Sequence, residues 1–110
     1  MNVTIETAQC APVSTPWGTS IDRAVYTDAI HFYSTPSHGG FRVTGAALDL
    51  IPPAWRAYAK RWGGSESWYE EDCAWAAVAL TFPDLFEADE VAFARRIAAQ
   101  FLPALNSVAA

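Results

Sequence analysis

The spacing of apolar residues changes character once along this chain. It separates a strand-forming first half from a helix-forming second half. Residues 3–7 alternate, with Val3, Ile5 and Thr7 on one side, as a half-buried strand does. Pro12, Pro16 and Gly18 then predict an irregular loop around Trp17. Residues 21–26 and 29–34 are rich in β-branched and aromatic side chains, with Thr27-Asp28 as a hairpin turn between them. Thr35-Pro36-Ser37-His38-Gly39-Gly40 is a turn-forming block, and Phe41-Arg42-Val43 a further strand.

Beyond this point the period becomes helical. Thr44 caps a short turn that reaches Leu48 to Leu50, and Pro53 opens a helix that runs to Arg61 or Trp62 and ends at Gly63-Gly64. The pattern predicts a longer helix over 65–82, with Ser65 as N-cap, Glu66, Glu70 and Glu71 near the positive end of the dipole, and Pro83 as the stop. On a wheel of about 100° per residue, Trp68, Tyr69, Cys73, Trp75, Ala76, Ala79, Leu80 and Phe82 form one apolar arc. Glu70, Ala74, Ala77 and Thr81 fall opposite, with Glu71 at the margin. A last helix from Ala88 to Leu102 turns Val91, Ala94, Ile97, Ala98 and Phe101 to one side, with Leu105 continuing the pattern. Strands first and helices second predict an α+β fold. A small antiparallel sheet from the N-terminal half packs against about three C-terminal helices, in a single domain over 1–110.

One residue breaks the pattern of the 65–82 segment. Asp72 falls inside the apolar arc, and a carboxylate carried into a core must be partnered or protonated. The expected partner is the 36–40 loop, where paired glycines leave N–H groups free and His38 can donate or accept a proton. The sequence thus predicts that His38 and Asp72 meet, with Ser37, His38, Gly39, Gly40, Trp68, Asp72 and Trp75 as one structural motif. His38 and Asp72 are also the acid–base pair of any catalytic reading. A Cys73 nucleophile is disfavoured, because Glu70, Glu71 and Asp72 surround it and raise its pKa. His31 lies inside a strand and reads as a half-buried sheet residue, so a two-histidine metal site is not expected. No P-loop, dinucleotide fingerprint or HExxH spacing occurs, and neither cofactor nor metal is predicted. The tryptophans fall mostly at helix-face positions suited to a core, and an exposed one would mark a recognition surface.

Charge and composition narrow the function classes. The chain has 110 residues, 52% hydrophobic, with five tryptophans and a net charge of −5. Two cysteines, Cys10 and Cys73, stand in no ligand spacing and read as reduced thiols of a cytoplasmic protein. No signal-peptide pattern opens the chain and no apolar stretch is long enough to cross a bilayer. No Lys or Arg occurs between Arg61 and Arg95, an interval that holds Glu66, Glu70, Glu71, Asp72, Asp84, Glu87, Asp89 and Glu90. Such a one-signed surface repels nucleic acid and attracts a basic partner.

Thr15-Pro16-Trp17-Gly18, the Ser34–Phe41 block, Trp68-Tyr69-Glu70-Glu71-Asp72-Cys73-Ala74-Trp75 and the following Phe82-Pro83 span about Pro16 to Phe86. In these motifs the chain resembles a family of small proteins, known only as a domain of unknown function, from phages, plasmids and other mobile elements of proteobacteria. The resemblance implies a genetic context and no residue roles. Small acidic proteins of such elements often inhibit host defence by covering a basic nucleic-acid-binding surface. The leading expectation is therefore an anti-CRISPR or antirestriction inhibitor acting in the host cytoplasm. It would bind a host defence protein through Glu66, Glu70, Glu71, Glu87, Asp89 and Glu90, with oligomeric state left open. The alternative is a small enzyme or ligand-binding domain built on His38 and Asp72. An enzyme requires those two residues to converge on an open pocket.

Overall fold

The computed structural model describes the backbone of Thr4–Glu6 and the whole of residues 11–105. Strand β1 is Thr4–Glu6. The two ends of the expected first strand, Val3 and Thr7, lie outside the described residues, as does Cys10. Two-residue strands β2 (Ser14–Thr15) and β3 (Gly18–Thr19) form a miniature hairpin where only a loop was expected. The Thr15 hydroxyl closes it, donating to the Gly18 carbonyl at 2.7 Å and accepting the Trp17 N–H at 3.1 Å.

β4 (Asp22–Thr27) and β5 (Ile30–Ser34) fall on the segments rich in β-branched and aromatic residues, and β6 (Gly39–Val43) extends the expected 41–43 strand back through Gly39 and Gly40. The turn between β4 and β5 falls one residue later than expected, at Asp28-Ala29, because the Thr27 hydroxyl accepts the Ala29 N–H at 3.2 Å. Helices α1 (Gly45–Leu50) and α2 (Pro53–Gly63) come next, and Gly64, at φ 83°, closes α2 in the left-handed region. The chain then forms β7 (Trp68–Glu70), α3 (Trp75–Thr81), a 3₁₀ turn at Pro83–Leu85 and α4 (Ala88–Phe101).

The result is an α+β fold with a five-stranded antiparallel sheet in the order β1-β4-β5-β6-β7. Cross-strand pairing puts Ala24, Phe32, Phe41 and Tyr69 on one face. Ile30, Phe41, Val43 and Tyr69 bury there against Val78, Phe86, Val91 and Ala94 of the helical layer. The other face carries Tyr33, Gly40 and Glu70 in one row, with Trp68 beside them. The β2–β3 hairpin lays Trp17 over that row, 5.6 Å from the Trp68 centroid and edge-on to it. Gly40 is required at this crossing, since a Cβ there would collide with the Trp17 ring and stand 2.6 Å from the Tyr69 carbonyl oxygen.

The expected helix over 65–82 is corrected: its first half is an edge strand and a turn. Trp68-Tyr69-Glu70 pairs with Gly40-Phe41-Arg42, and the aromatic pair gains a cross-strand partner that a helix would deny it. Helix begins only at Trp75. Ala77, placed on the polar side by the longer helix, is in fact buried. Among the tryptophans only Trp55 is fully buried, its Nε1 donating to the Pro103 carbonyl at 2.9 Å. Trp17, Trp68 and Trp75 are half-buried, and Trp62 is 61% exposed.

Candidate functional site

The strand-to-helix turn at 70–75 builds the site. Glu70 ends β7 on the face away from the helical layer, and its carboxylate folds back over the turn. Oε2 accepts the Asp72 N–H at 2.7 Å, and Oε1 accepts the N–H groups of Cys73 at 2.8 Å and Ala74 at 2.6 Å. These amides precede the first turn of α3, so Glu70 does the work of an N-cap from four residues upstream. Its side chain is only 14% exposed.

The Thr35–His38 turn supplies the opposite wall. The Thr35 hydroxyl donates to the His38 carbonyl at 2.6 Å and accepts the His38 N–H at 3.1 Å, while the Thr35 N–H donates to the same carbonyl at 2.7 Å. Those bonds fix the backbone that carries the imidazole. Pairing of Gly39 and Gly40 with the neighbouring strands brings the loop alongside the 70–73 turn, where the Glu71 N–H donates to the Gly39 carbonyl at 2.9 Å.

His38 therefore lies among three carboxylates. Its Nε2 is 3.2 Å from Asp72 Oδ2 and 4.0 Å from Glu70 Oε2, and its Nδ1 is 3.8 Å from Glu71 Oε2. The His38–Asp72 contact expected from the sequence is present, but its physical basis is different. Asp72 is not in the core: its side chain is 67% exposed, on the turn between β7 and α3. The carboxylate that is sequestered is Glu70, which the longer helix had placed on the solvent side.

The pair opens on a cleft of about 420 Å³ lined by Trp17, His38, Tyr58, Trp62, Glu70, Asp72, Cys73 and Phe101. Aromatic rings make most of the wall, and the polar groups gather at one end. Cys73 sits at that end. Burial pushes its thiol pKa up, and Glu70 and then Asp72 push it further, against a hydrogen bond with Tyr58 that acts the other way. Burial and then Cys73 likewise raise Tyr58. Both groups are neutral near pH 7, so the imidazole and the carboxylates carry the ionisable chemistry of the cleft. One atom each of His38, Glu70 and Asp72 falls within 4.8 Å of the others, close enough to share a cation. Glu70 Oε1 already accepts two N–H groups, which leaves Oε2 as the oxygen with spare capacity.

The residues expected to meet a partner are dispersed. Glu66 lies 3.5 Å from Arg56 Nη1. Glu70 is committed to the turn. Glu87 and Glu90 form the capping box of α4, and Asp89 Oδ1 accepts the Glu90 N–H at 3.0 Å. Glu71, beside His38, and Glu87, Asp89 and Glu90, at the start of α4, remain exposed. Of the expected motif, Gly39, Gly40, Trp68 and His38 converge with Asp72, while Ser37 is exposed at the loop tip and Trp75 faces the α4 side, 5.9 Å from Phe93. Sequence reasoning missed Tyr58 and Phe101 as cleft residues. Their helical spacing showed only that they belong to α2 and α4, and nothing in it shows that the two helix ends meet the 70–73 turn.

Fold and site together define a class: an α+β domain whose antiparallel sheet presents a histidine–carboxylate cluster at its edge. The chain belongs to the family described as Domain of unknown function (DUF7007), whose model matches residues 10–107. No curated protein and no solved structure matches it. Among the described residues, no helix is long and apolar enough to cross a membrane.

Proposed function

We propose that this protein is a small ligand-binding domain with acid–base capacity, centred on His38 and Asp72. The observation that carries the reading is the 3.2 Å contact between His38 Nε2 and Asp72 Oδ2 at the polar end of an aromatic-walled cleft. With Nε2 held by Asp72, Nδ1, 3.8 Å from Glu71 Oε2, retains its lone pair and can take a proton from a water or hydroxyl placed between them. Asp72 orients the ring and stabilises the imidazolium that results. Glu70 holds the turn that carries Asp72. Cys73 stays a protonated thiol, so the attacking group under this reading is a water molecule.

Charge sets the ligand class. Glu70 and Asp72 in its wall repel phosphates and other anions, so the cleft takes a neutral or cationic molecule with an aromatic or apolar body. The test is hydrolysis of a panel of neutral aryl esters and amides by wild type, His38→Ala and Asp72→Asn. We expect His38→Ala to fold as wild type and to lose turnover by about 100-fold or more, the scale of general base catalysis. Equal turnover in wild type and His38→Ala would refute the acid–base role. Absence of turnover together with no binding of any panel member in the cleft, followed by the indole signals of Trp17 and Trp62, would refute the ligand site.

A second reading rests on a different observation, the exposed acids Glu71, Asp84, Glu87, Asp89 and Glu90 in an interval without Lys or Arg. Here the chain is a mobile-element inhibitor of host defence, of the anti-CRISPR or antirestriction type, that covers a basic surface of a host protein in the cytoplasm. Salt weakens such binding, since exposed charges are screened over roughly 8 Å at physiological ionic strength. Capture of a host defence subunit by wild type, lost on Glu71→Lys, is the expected result. Capture that is indifferent to salt and to charge reversal would count against it.

A further inference from the structure

A second concavity lies on the helical side of the sheet. It holds about 540 Å³ and is lined by Ala24, Tyr26, Phe32, Phe41, Glu71, Asp72, Trp75, Phe86, Glu90 and Phe93. Its floor is aromatic: Phe41 lies 4.9 Å from Phe32, 5.1 Å from Tyr26 and 5.6 Å from Phe86. Trp75 and Phe93 form a wall with centroids 5.9 Å apart, and Phe93 is 47% exposed. Glu71 and Asp72 edge the cleft from the 70–75 turn, and Glu90 edges it from α4. No Lys or Arg lines it.

We propose that this cleft seats a lysine or arginine side chain of a partner polypeptide. Aromatic faces carry negative charge density and attract a cation within about 6 Å of the ring centroid. Three rim carboxylates supply the counter-charge, and an anionic ligand is excluded by the same groups. The chain's own chemistry gives a precedent on one of these rings, since the Arg96 guanidinium carbon lies 5.4 Å from the Phe93 centroid. An apolar side chain would satisfy the rings but desolvate the carboxylates without compensation. Glu90 reaches the interior of the cleft electrostatically, for it is the charge that adds to burial in raising the Tyr26 hydroxyl. His38 does not line the cleft, but Asp72 borders this cleft and the His38 cleft alike, so Phe93 and Glu90 are the residues that belong to this site alone. It rests on the protein-binding reading only for the source of the cation.

The test is a chemical-shift titration of the whole isotope-labelled chain with acetyl-Gly-Arg-Gly-amide, beside the citrulline counterpart of equal shape and no charge. The expected result is a set of shifts confined to Trp75, Phe93, Glu90 and their neighbours. Phe93→Ala or Glu90→Gln should weaken them at least fivefold. Both positions are exposed, and glutamine keeps the side-chain acceptor of the α4 capping box, so both variants are expected to fold. Equal response to the citrulline peptide, or shifts that map elsewhere, would overturn the proposal. Capture of a host protein that survives Phe93→Ala would overturn this seat while leaving the protein-binding reading in place. Loss of all host capture with the arginine-specific shifts intact would refute that reading and leave the cation site standing.

Discussion

Glu70 Oε1 accepts the Ala74 N–H at 2.6 Å, so the residue that ends an edge strand also starts the following helix. Strand pairing fixes its backbone, and its carboxylate supplies the acceptors that Asp72, Cys73 and Ala74 lack. The site geometry depends on this one side chain, because His38 is reached from a turn that Glu70 holds in shape.

Replacing it should therefore cost stability as well as geometry. Glu70→Ala leaves three N–H groups without their acceptor and is expected to destabilise by about 1 kcal/mol, the range for loss of a helix N-cap acceptor. Glu70→Gln keeps one oxygen and should lose less. Denaturant unfolding of the two variants checks the order, and equal stability of wild type and Glu70→Ala would refute the capping role.

Gly40 predicts a packing effect of similar size. Gly40→Ala forces a methyl group against the Trp17 ring and the Tyr69 carbonyl, and the carbonyl belongs to a paired strand that cannot shift alone. Overpacking of this kind costs about 1–3 kcal/mol, and each kcal/mol lowers the melting temperature of a domain this size by about 4–8 °C. A melt within a degree of wild type would show that the hairpin carrying Trp17 moves aside at no cost.

Tyr69 carries the opposite expectation. Its ring is completely buried and, among the described residues, its hydroxyl has no hydrogen-bond partner. Burial drives its pKa up, followed by Glu66, with Arg56 opposing. Tyr69→Phe removes a desolvated hydroxyl that gains nothing in return, so it should be neutral or stabilising. A loss above about 1 kcal/mol in denaturant unfolding would mean that the hydroxyl has a partner in solution.

The Cys73 thiol sets a pH window. Its folded pKa lies above the unfolded value, so the folded state favours the protonated form. The associated stability is fully present below the unfolded pKa of about 8.5. It fades as pH rises through the higher folded value. Iodoacetamide should label Cys73 slowly at neutral pH and accelerate only in the alkaline range, measured in a Cys10→Ser background. Fast labelling at pH 7 in the folded protein would show the thiolate to be stabilised instead.

Much of the fold was legible. Residues 21–34 read as strands because β-branched and aromatic side chains pack well on a pleated, part-buried surface, and β4 and β5 form there. Residues 88–102 repeat at helical spacing because α4 packs by one side. The 65–82 segment was not legible, for a physical reason. Trp68, Tyr69 and Cys73 fit a helical arc as well as a strand, and only the partner Gly40-Phe41-Arg42, some thirty residues upstream, decides between them. The meeting of His38 and Asp72 was expected from the need of a buried acid for donors. They do meet, but at the surface, with Glu70 in the sequestered place.

The amino-acid sequence by itself determined the strands over 22–43, the helices over 53–63 and 88–101, the turn at Thr35–Gly40 and the acidic interval after Arg61. Each follows from local propensity, turn chemistry or counting. Tertiary structure alone decided that 68–70 is an edge strand, that Glu70 caps α3, and that Trp17, Tyr58 and Phe101 share a cleft with His38. Those facts come from pairing and packing between segments far apart in the chain, where the free energy of a residue depends on neighbours that its local sequence does not contain.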